Sequence, residues 1–533
     1  MQSSPLKIYA LSMDRNLVAI GFRRIIANAK KAGYNVRSVY FLDDANRASL
    51  AGSWWKQKTG DNFNVNYVRN DYALIRLAEI LAEADVLAFS LMSVQRNIAR
   101  TICMEVKKLR PTVKIIIGGY HPTIFPEDAI EFSDVICLGE GERTFVEFLE
   151  RVQYNTQFSG LANTWVRENE QIIKNPRVPI MTPAEMEQMP FMDYDTEGHF
   201  IFSFSDGQLI PLTPTTLIRH VGTTYNTIWS VGCPYRCAFC SQSKFIDLDH
   251  AYAYYRGPSP DYVIAEIKAA QLRYPLDYVI FYDSNFLGRD LTTLTTFSRK
   301  FRDEIGIKFI LSGTNPASIQ EDKIRVLLEG GLVRIKMGFE SGCDDILKLF
   351  KRPVTTKQLR RATEVLAHFG DKMVAPSYEM IVDNPFETHK QLYQTLDFLH
   401  QTPAPFTISL FSLQFMPGTA LSDDATDYSL IEQHMEKEYM FSYKPILLNN
   451  LVSVFAIIKP PSCVMRYLKK LIKGREDVSA PWLKSLLYKL MLMRRAFNQA
   501  RFGDYSTFPY WVMIAYHKAR NAVQIIRNTL GLR

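Results

Sequence analysis

Apolar and polar positions along the first 150 residues follow two alternating rhythms. Short apolar or β-branched runs at 6–11, 35–42, 85–91, 113–117 and 134–138 read as strands. Between them, 16–32, 72–84, 96–109 and 143–152 carry apolar residues at helical spacing, as with Leu17, Ile20, Ile25 and Ile26. This alternation predicts a doubly wound parallel sheet, whose ligands sit at the carboxyl ends of its strands. Those ends carry Ser90, Ser93, Gly118, Gly119, Gly139 and Gly141, followed by Glu142. Small residues there let a bulky ligand approach the backbone. Residues 154–220 break the rhythm. They read as irregular, with short β pieces such as 164–167, and contain Pro176, Pro179, Pro183, Pro190, Pro211 and Pro214. Proline at this density predicts a semi-rigid passage between domains.

The alternation restarts at 227. Strands are expected at 227–231, 277–282, 308–311, 333–337, 374–382 and 407–415, with helices near 261–274, 293–305, 320–329, 357–369 and 389–401. Six such units make a partial barrel, with its chemistry at the carboxyl strand ends. The first strand runs into 232–240, where Cys233, Cys237 and Cys240 are spaced C-x-x-x-C-x-x-C. Three thiolates on one short loop hold three irons of a 4Fe–4S cube and leave the fourth iron open. A zinc knuckle usually takes four ligands, commonly as C-x-x-C pairs, and no second pair or nearby fourth ligand follows. Glu379 lies within the fifth expected strand beside Tyr378, and periodicity does not decide which way it points.

Composition adds bounds. A length of 533 residues predicts two to three domains, and 47% hydrophobic residues with a mean hydropathy of −0.10 suit globular cores. Of seven cysteines, three are clustered and four scattered, which is no secreted disulfide framework. An iron–sulfur loop and the lack of an apolar leader place the protein in the cytoplasm. The net charge of +8 is uneven: residues 444–533 hold sixteen Lys/Arg and three Asp/Glu, so the rest of the chain is about −5. This tail has apolar or basic amphipathic segments at 447–458, 463–472, 482–497 and 510–530. They suit either a membrane interface of anionic lipid or a helical cap on the barrel. The first segment is shorter than a bilayer span. Nucleic acid ranks lower, since no Gly-aromatic RNA-binding motif appears.

The cysteine loop, with Phe239 just before its last cysteine, resembles the signature of radical S-adenosylmethionine (radical SAM) enzymes. The sheet before it, with the runs 118–123 and 139–142, resembles the cobalamin-binding domain in front of many of them. The resemblance implies an α/β chain: an amino-terminal Rossmann-like cobalamin-binding domain (1–153), a linker (154–222), a partial (β/α)6 radical SAM barrel (223–425) and a basic helical carboxyl-terminal region (426–533). It implies a 4Fe–4S cluster on Cys233, Cys237 and Cys240, with SAM chelating the open iron. SAM contacts are expected from the backbone around Phe239, from Asp283, Ser284 and Asn285, and from Glu340 and Ser341 of a G-x-E-S-G run. The turn 417–419 resembles the P-G-T that ends such modules. Cobalamin is expected against Ser90, Ser93, Gly118, Gly119, His121, Gly139, Gly141 and Glu142, although a loop histidine before proline, such as His121, is more often a packing residue. Proteins that ligate cobalt from below use D-x-H-x-x-G. The matching stretch begins at Asp14 and has Asn16 in place of the histidine, so no lower histidine is implied.

The implied reaction is reductive cleavage of SAM, hydrogen abstraction from an unactivated carbon by the 5′-deoxyadenosyl radical, and methylation from methylcobalamin. A hydrophobic or lipid-like substrate follows from the tail, with an electron donor such as flavodoxin or ferredoxin as partner. The alternatives are cyclisation, carbon–carbon coupling or oxidation by the same radical, and a non-catalytic iron–sulfur sensor at a membrane.

Overall fold

The computed structural model describes residues 5–14, 17–41, 71–168, 171–204, 207–415, 419–423 and 443–506. The expectations at Asn16, Leu42, Pro417, Gly418, 426–442 and 510–530 lie outside them.

Strands β1 (Ile8–Ser12), β2 (Val36–Phe41), β3 (Val86–Ser90), β4 (Lys114–Gly118) and β5 (Val135–Cys137) are parallel, in the order β5-β4-β3-β1-β2. Helices α1 (Ile20–Lys31), α2 (Asp71–Leu81), α3 (Arg96–Leu109) and α4 (Glu142–Gln153) cover both faces. Burial on both sides explains the continuous apolar strands: every residue of β1 is buried. The order reverses between β1 and β3, the point at which such sheets bind ligands.

The stretch 154–220 is not an irregular passage. It supplies β6 (Thr164–Glu168), β7 (Gln171–Lys174), β8 (Phe200–Ser203) and β9 (Gln208–Pro211), which widen the sheet to nine strands. The β6–β7 hairpin is antiparallel on the β5 edge, β8 pairs parallel with β2, and β9 returns antiparallel. The sheet is therefore mixed. Strands of four or five residues carry too little alternation to stand out, and Pro211 is tolerated because β9 is an edge.

Helix α5 (Pro214–Val221) leads into the second sheet. Its strands β10 (Thr224–Thr227), β11 (Tyr278–Phe281), β12 (Lys308–Leu311), β13 (Leu332–Glu340), β14 (Ser377–Val382) and β15 (Thr407–Ser412) are parallel and in sequence order, a half-open barrel. Helices α6 (Gln242–Leu248), α7 (Pro260–Gln271), α8 (Leu291–Lys300), α9 (Glu321–Gly330), α10 (Thr356–His368) and α11 (His389–Gln401) accompany it. The side chains of Ser259, Asp290, Thr355 and Thr388 cap the starts of α7, α8, α10 and α11. The first strand is a correction. It is 224–227, ahead of the apolar run 227–231. Thr224–Thr227 reads as polar, yet the Tyr225 and Thr227 hydroxyls each donate to buried Glu266 on α7 at 2.9 Å, so the strand is buried with its polar groups paired.

Helices α12 (Leu447–Val454), α13 (Ser462–Ile472) and α14 (Pro481–Arg501) form the described part of the tail. The end of α14 caps the foot of the barrel. Asn498 Oδ1 accepts the Ala375 amide at 2.8 Å, Arg334 pairs with fully buried Asp504 at 3.3 Å, and Phe502 and Tyr505 pack on Tyr278, Ile310, Val333 and Val374. The other face of α14 leaves an apolar stripe in solvent, with Trp482 70% and Phe497 78% exposed and Leu486 and Met493 between them. Among the described residues, no helix is long and apolar enough to cross a membrane.

Candidate active site

The cysteine loop is pinned to its surroundings through the backbone. Gly232 sits at φ 97°, and a Cβ there would lie 2.1 Å from the Tyr254 carbonyl oxygen, so only glycine fits. The Cys233 amide donates to Tyr252 O at 2.9 Å, Ala238 N to Phe350 O at 2.8 Å, and Leu421 N to Ala238 O at 3.0 Å. The Phe239 ring meets Phe350 edge-on at 5.2 Å. Burial raises the pKa of all three thiols, that of Cys240 to about 11, and the neighbouring thiols Cys233 and Cys237 add to the rise at Cys240.

Among the described residues, no three His, Cys, Asp or Glu side chains are gathered closely enough for one metal ion. Three thiols that sense one another from one loop suit a cluster whose ligands bind different irons. A cation stands beside them that the sequence pattern did not single out. Arg352 Nη1 is 3.7 Å from Cys237 Sγ, its Nη2 donates to Gly338 O at 2.8 Å, and Nη2 lies 3.3 Å from Glu340 Oε1. Burial opposes the Arg352 charge, but Glu340 and Cys237 outweigh it and hold the guanidinium's pKa up.

The strand ends sort the expected SAM contacts into two groups. Asp283 is turned inward. Its carboxylate accepts the Trp229 amide (3.0 Å), the Ser230 amide and hydroxyl (both 2.8 Å) and Arg289 Nη2 (2.9 Å). Asn285 donates to the Tyr255 hydroxyl (2.9 Å) and Ser318 Oγ (2.6 Å). The Ser341 hydroxyl lies 3.1 Å from Thr395 Oγ1 and accepts the Cys343 amide at 3.1 Å. These three polar groups are occupied in holding strand ends together, and burial, invisible to a motif, is why. Ser284 remains open to the site, and Glu340 reaches the cysteine loop through Arg352. Ser284 is exposed and lines the cavity described below. Glu340 is buried at φ 65°, a strained position for a residue with a side chain. Burial pushes its carboxyl up to about 7, against the pull of Arg352. Gly338 makes this possible, because a Cβ there would lie 2.4 Å from Glu340 Oε1 and 2.9 Å from Arg352 Nη2.

Between the two sheets lies a cavity of about 400 Å³. Ser90, Gly118, Gly119, Gly139, Gly141 and Glu142 line it from the first sheet, and Gly232, Tyr282 and Ser284 from the second. Two of these glycines are fixed by their backbone and by close neighbours. A Cβ on Gly119 (φ 102°) would lie 2.9 Å from Leu91 N and O, and one on Gly139 (φ 77°) 2.8 Å from the Tyr252 hydroxyl. That hydroxyl is buried without a hydrogen-bond partner among the described residues, an open invitation to a polar ligand. Tyr120 and Phe245, in edge contact at 5.1 Å, form another wall. Burial raises the pKa of Asp14 and of Glu142 at the rim. Sequence reasoning passed over Asp14, Tyr120, Phe245 and Tyr252. The first two stood inside quoted motifs, whereas nothing marked the others. Glu140 latches the two sheets: it pairs with Arg256 at 2.7 Å and accepts the Met181 amide at 2.7 Å.

Ser93 and His121 do not line the cavity. His121 is fully buried, with Nδ1 3.1 Å from Ser93 Oγ and Nε2 2.9 Å from Asp128 Oδ2. Both ring nitrogens are engaged, so it is a packing residue rather than a metal ligand. Ala19, where D-x-H-x-x-G has its glycine, keeps a left-handed backbone at φ 34°.

The space, its glycine walls and the unpartnered Tyr252 hydroxyl fit a large polar-edged macrocycle, and the loop fits a cluster with an open iron. Comparison with known proteins agrees. Residues 227–399 match the radical SAM superfamily and 56–149 the B12 binding domain. The chain is 23% identical over 337 residues to an uncharacterised methyltransferase of Pyrococcus horikoshii, covering 62% of this chain and 67% of that protein. It is 22% identical over 476 residues to the cytidylyl-2-hydroxyethylphosphonate methyltransferase of Streptomyces wedmorensis, covering 83% and 84%. Among solved structures, the radical S-adenosylmethionine methyltransferase TsrM of Kitasatospora setae aligns with a TM-score of 0.59 at 14% identity, over 78% of this chain and 74% of that one.

Proposed function

From a chain that belongs to the radical SAM enzymes carrying a B12-binding domain, we infer replacement of hydrogen by methyl at an unactivated carbon. When bound, the cluster with SAM supplies radical initiation and cobalamin supplies a transferable methyl group. The observation that carries the reading is the single cavity: Gly119, Gly139, Ser284 and Gly232 face one space, so the two cofactor sites open towards each other.

The chain's own residues would act as follows. Cys233, Cys237 and Cys240 hold the cluster, and Arg352 neutralises part of its thiolate charge. Ser284 and Glu340 take polar groups of SAM, with Glu340 accepting a hydrogen bond or pairing with an ammonium. Asp283, Asn285 and Ser341 position these loops from behind. The glycines at the ends of β4 and β5 seat the corrin, and Tyr252 meets its polar edge. Phe245 and Tyr120 exclude water from the space between. A one-electron donor such as flavodoxin or ferredoxin serves the cluster in the cytoplasm. The two named relatives and TsrM are methyltransferases, which supports methylation; other relatives of the same identity are magnesium-protoporphyrin IX monomethyl ester cyclases, so cyclisation stays the alternative.

The test is anaerobic reconstitution with cluster, cobalamin, dithionite and methyl-labelled SAM, with a cell extract as substrate source. A labelled product and 5′-deoxyadenosine are expected, and neither from Cys237→Ala. Formation of 5′-deoxyadenosine with no label in any product would refute methylation and leave radical initiation standing.

The stripe of Trp482, Leu486, Met493 and Phe497 favours a second element: peripheral docking on anionic membranes, which would deliver a lipid-like substrate. Basic residues such as Lys489 and Arg494 flank it. Flotation with phosphatidylserine vesicles should be lost in Trp482→Ser/Phe497→Ser, and equal flotation of that variant and the parent protein would remove the reading.

A further inference from the structure

Past the end of β5 the two sheets meet around Gly139. The position its Cβ would take lies 2.8 Å from the Tyr252 hydroxyl and 3.4 Å from Arg177 Nη2, so these two side chains converge on one spot. Gly139 and Tyr252 both line the cavity. Arg177 belongs to the stretch just after β7, and Asn163 sets it there. The Asn163 amide donates to Pro176 O at 3.0 Å, its side-chain oxygen accepts the Val178 amide at 3.0 Å, and its carbonyl accepts the Leu138 amide at 2.8 Å. The backbone on both sides of Arg177 is thereby tied to the residue before Gly139.

Both groups lack partners. Among the described residues, the Arg177 guanidinium makes no ion pair or hydrogen bond, and its Nη1 is closed to solvent. The Tyr252 hydroxyl is likewise buried and unpaired. Burial pushes its pKa up, so it stays protonated and can donate. The nearest acids do not serve them. Glu140 is held by Arg256 and by the Met181 amide, both at 2.7 Å. Glu142, the other carboxyl on this wall, forms no ion pair among the described residues. A neutral amide satisfies a hydroxyl, but a guanidinium withdrawn from water needs an anion.

We propose that Arg177 and Tyr252 bind the phosphodiester of the corrinoid's nucleotide arm. A cobalamin carries neutral amides around its ring, and this phosphate is the anionic group of its periphery. Its two free oxygens match a planar guanidinium fork with a hydroxyl beside it. The Tyr252 carbonyl accepts the Cys233 amide at 2.9 Å, so the residue that holds the arm also braces the cluster loop. The chain therefore selects a complete corrinoid over one without the nucleotide arm. This inference rests on the reading of the cavity as the corrinoid site.

The experiment titrates the full-length protein, its cluster reconstituted, with hydroxocobalamin and with cobinamide, which lacks the nucleotide and its phosphate. Binding of each is followed in the visible spectrum. Arg177→Gln should weaken cobalamin binding about tenfold, the size of a lost charge-assisted hydrogen bond. Tyr252→Phe should weaken it roughly fivefold and Arg177→Lys roughly threefold. Cobinamide affinity should stay within about twofold of the parent protein's in every variant, because the contact removed is one it never makes. Cobalamin affinity unchanged in Arg177→Gln, or both corrinoids weakened alike in folded variants, overturns the phosphate site. Should Arg177→Gln fail to fold by circular dichroism, Arg177→Lys and Tyr252→Phe decide. The two readings fail separately: a parent protein that binds cobalamin and cobinamide equally defeats only this site, whereas one that binds neither defeats the corrinoid reading on which it rests.

Discussion

At the end of β4 the chain turns on Gly118 and Gly119, and at the end of β13 it turns on Glu340 at φ 65°. Both are carboxyl ends of parallel strands. The first makes its site from small residues, which line a cavity of about 400 Å³ over the sheet. The second makes its site by packing charges in. Arg352 is shared between a thiol, a carbonyl and a carboxylate, and Asp283 accepts four hydrogen bonds behind it. A bulky ligand needs room, whereas a small polar cofactor and a charged cluster need fixed partners. Changes on the two sides should therefore fail differently: added atoms should harm the glycine side, and removed atoms the charged side.

The largest effect belongs to the charged side. Cys237→Ala should reduce 5′-deoxyadenosine formation to the level of a protein-free control while corrinoid binding, read in the visible spectrum, persists. Asp283→Asn should cost about 3 kcal/mol of stability, because it leaves the Arg289 guanidinium buried without its countercharge, and a denaturant midpoint reads this directly. On the glycine side, Gly119→Ala and Gly139→Ala force a Cβ into contacts of 2.9 and 2.8 Å at positive φ. Each should lower corrinoid occupancy about tenfold, near 1.4 kcal/mol, with SAM cleavage retained. The smallest change is His121→Ala, expected to cost about 1–2 kcal/mol through its lost hydrogen bonds with no change in the corrinoid spectrum.

How far the sequence speaks follows from the same contrast. Long amphipathic helices and two-side-buried strands announce themselves, and 96–109, 308–311 and 389–401 fall where the pattern puts them. The four short strands between 164 and 211 do not, since a strand of four or five residues shows too few alternations. The polar strand Thr224–Thr227 is hidden because its buried partner, Glu266, is 39 residues away from Thr227. In the site, spacing finds the cysteines and the glycines, whose roles are backbone roles. It does not tell Asp283, consumed internally, from Ser284, open to the cavity, because adjacent loop residues differ only in direction. Arg352 is invisible for the opposite reason: it lies 115 residues from the thiol it approaches.

The most direct test of two sites opening on one space is a pair of titrations on one anaerobic preparation, corrinoid bound per chain and 5′-deoxyadenosine formed from SAM, in the parent protein, Cys237→Ala and Gly139→Ala. The account predicts about one corrinoid and SAM cleavage in the parent protein, loss of cleavage alone in Cys237→Ala, and loss of corrinoid alone in Gly139→Ala. A parent protein that binds no corrinoid or cleaves no SAM, or a Gly139→Ala variant that binds corrinoid as the parent does, would contradict it.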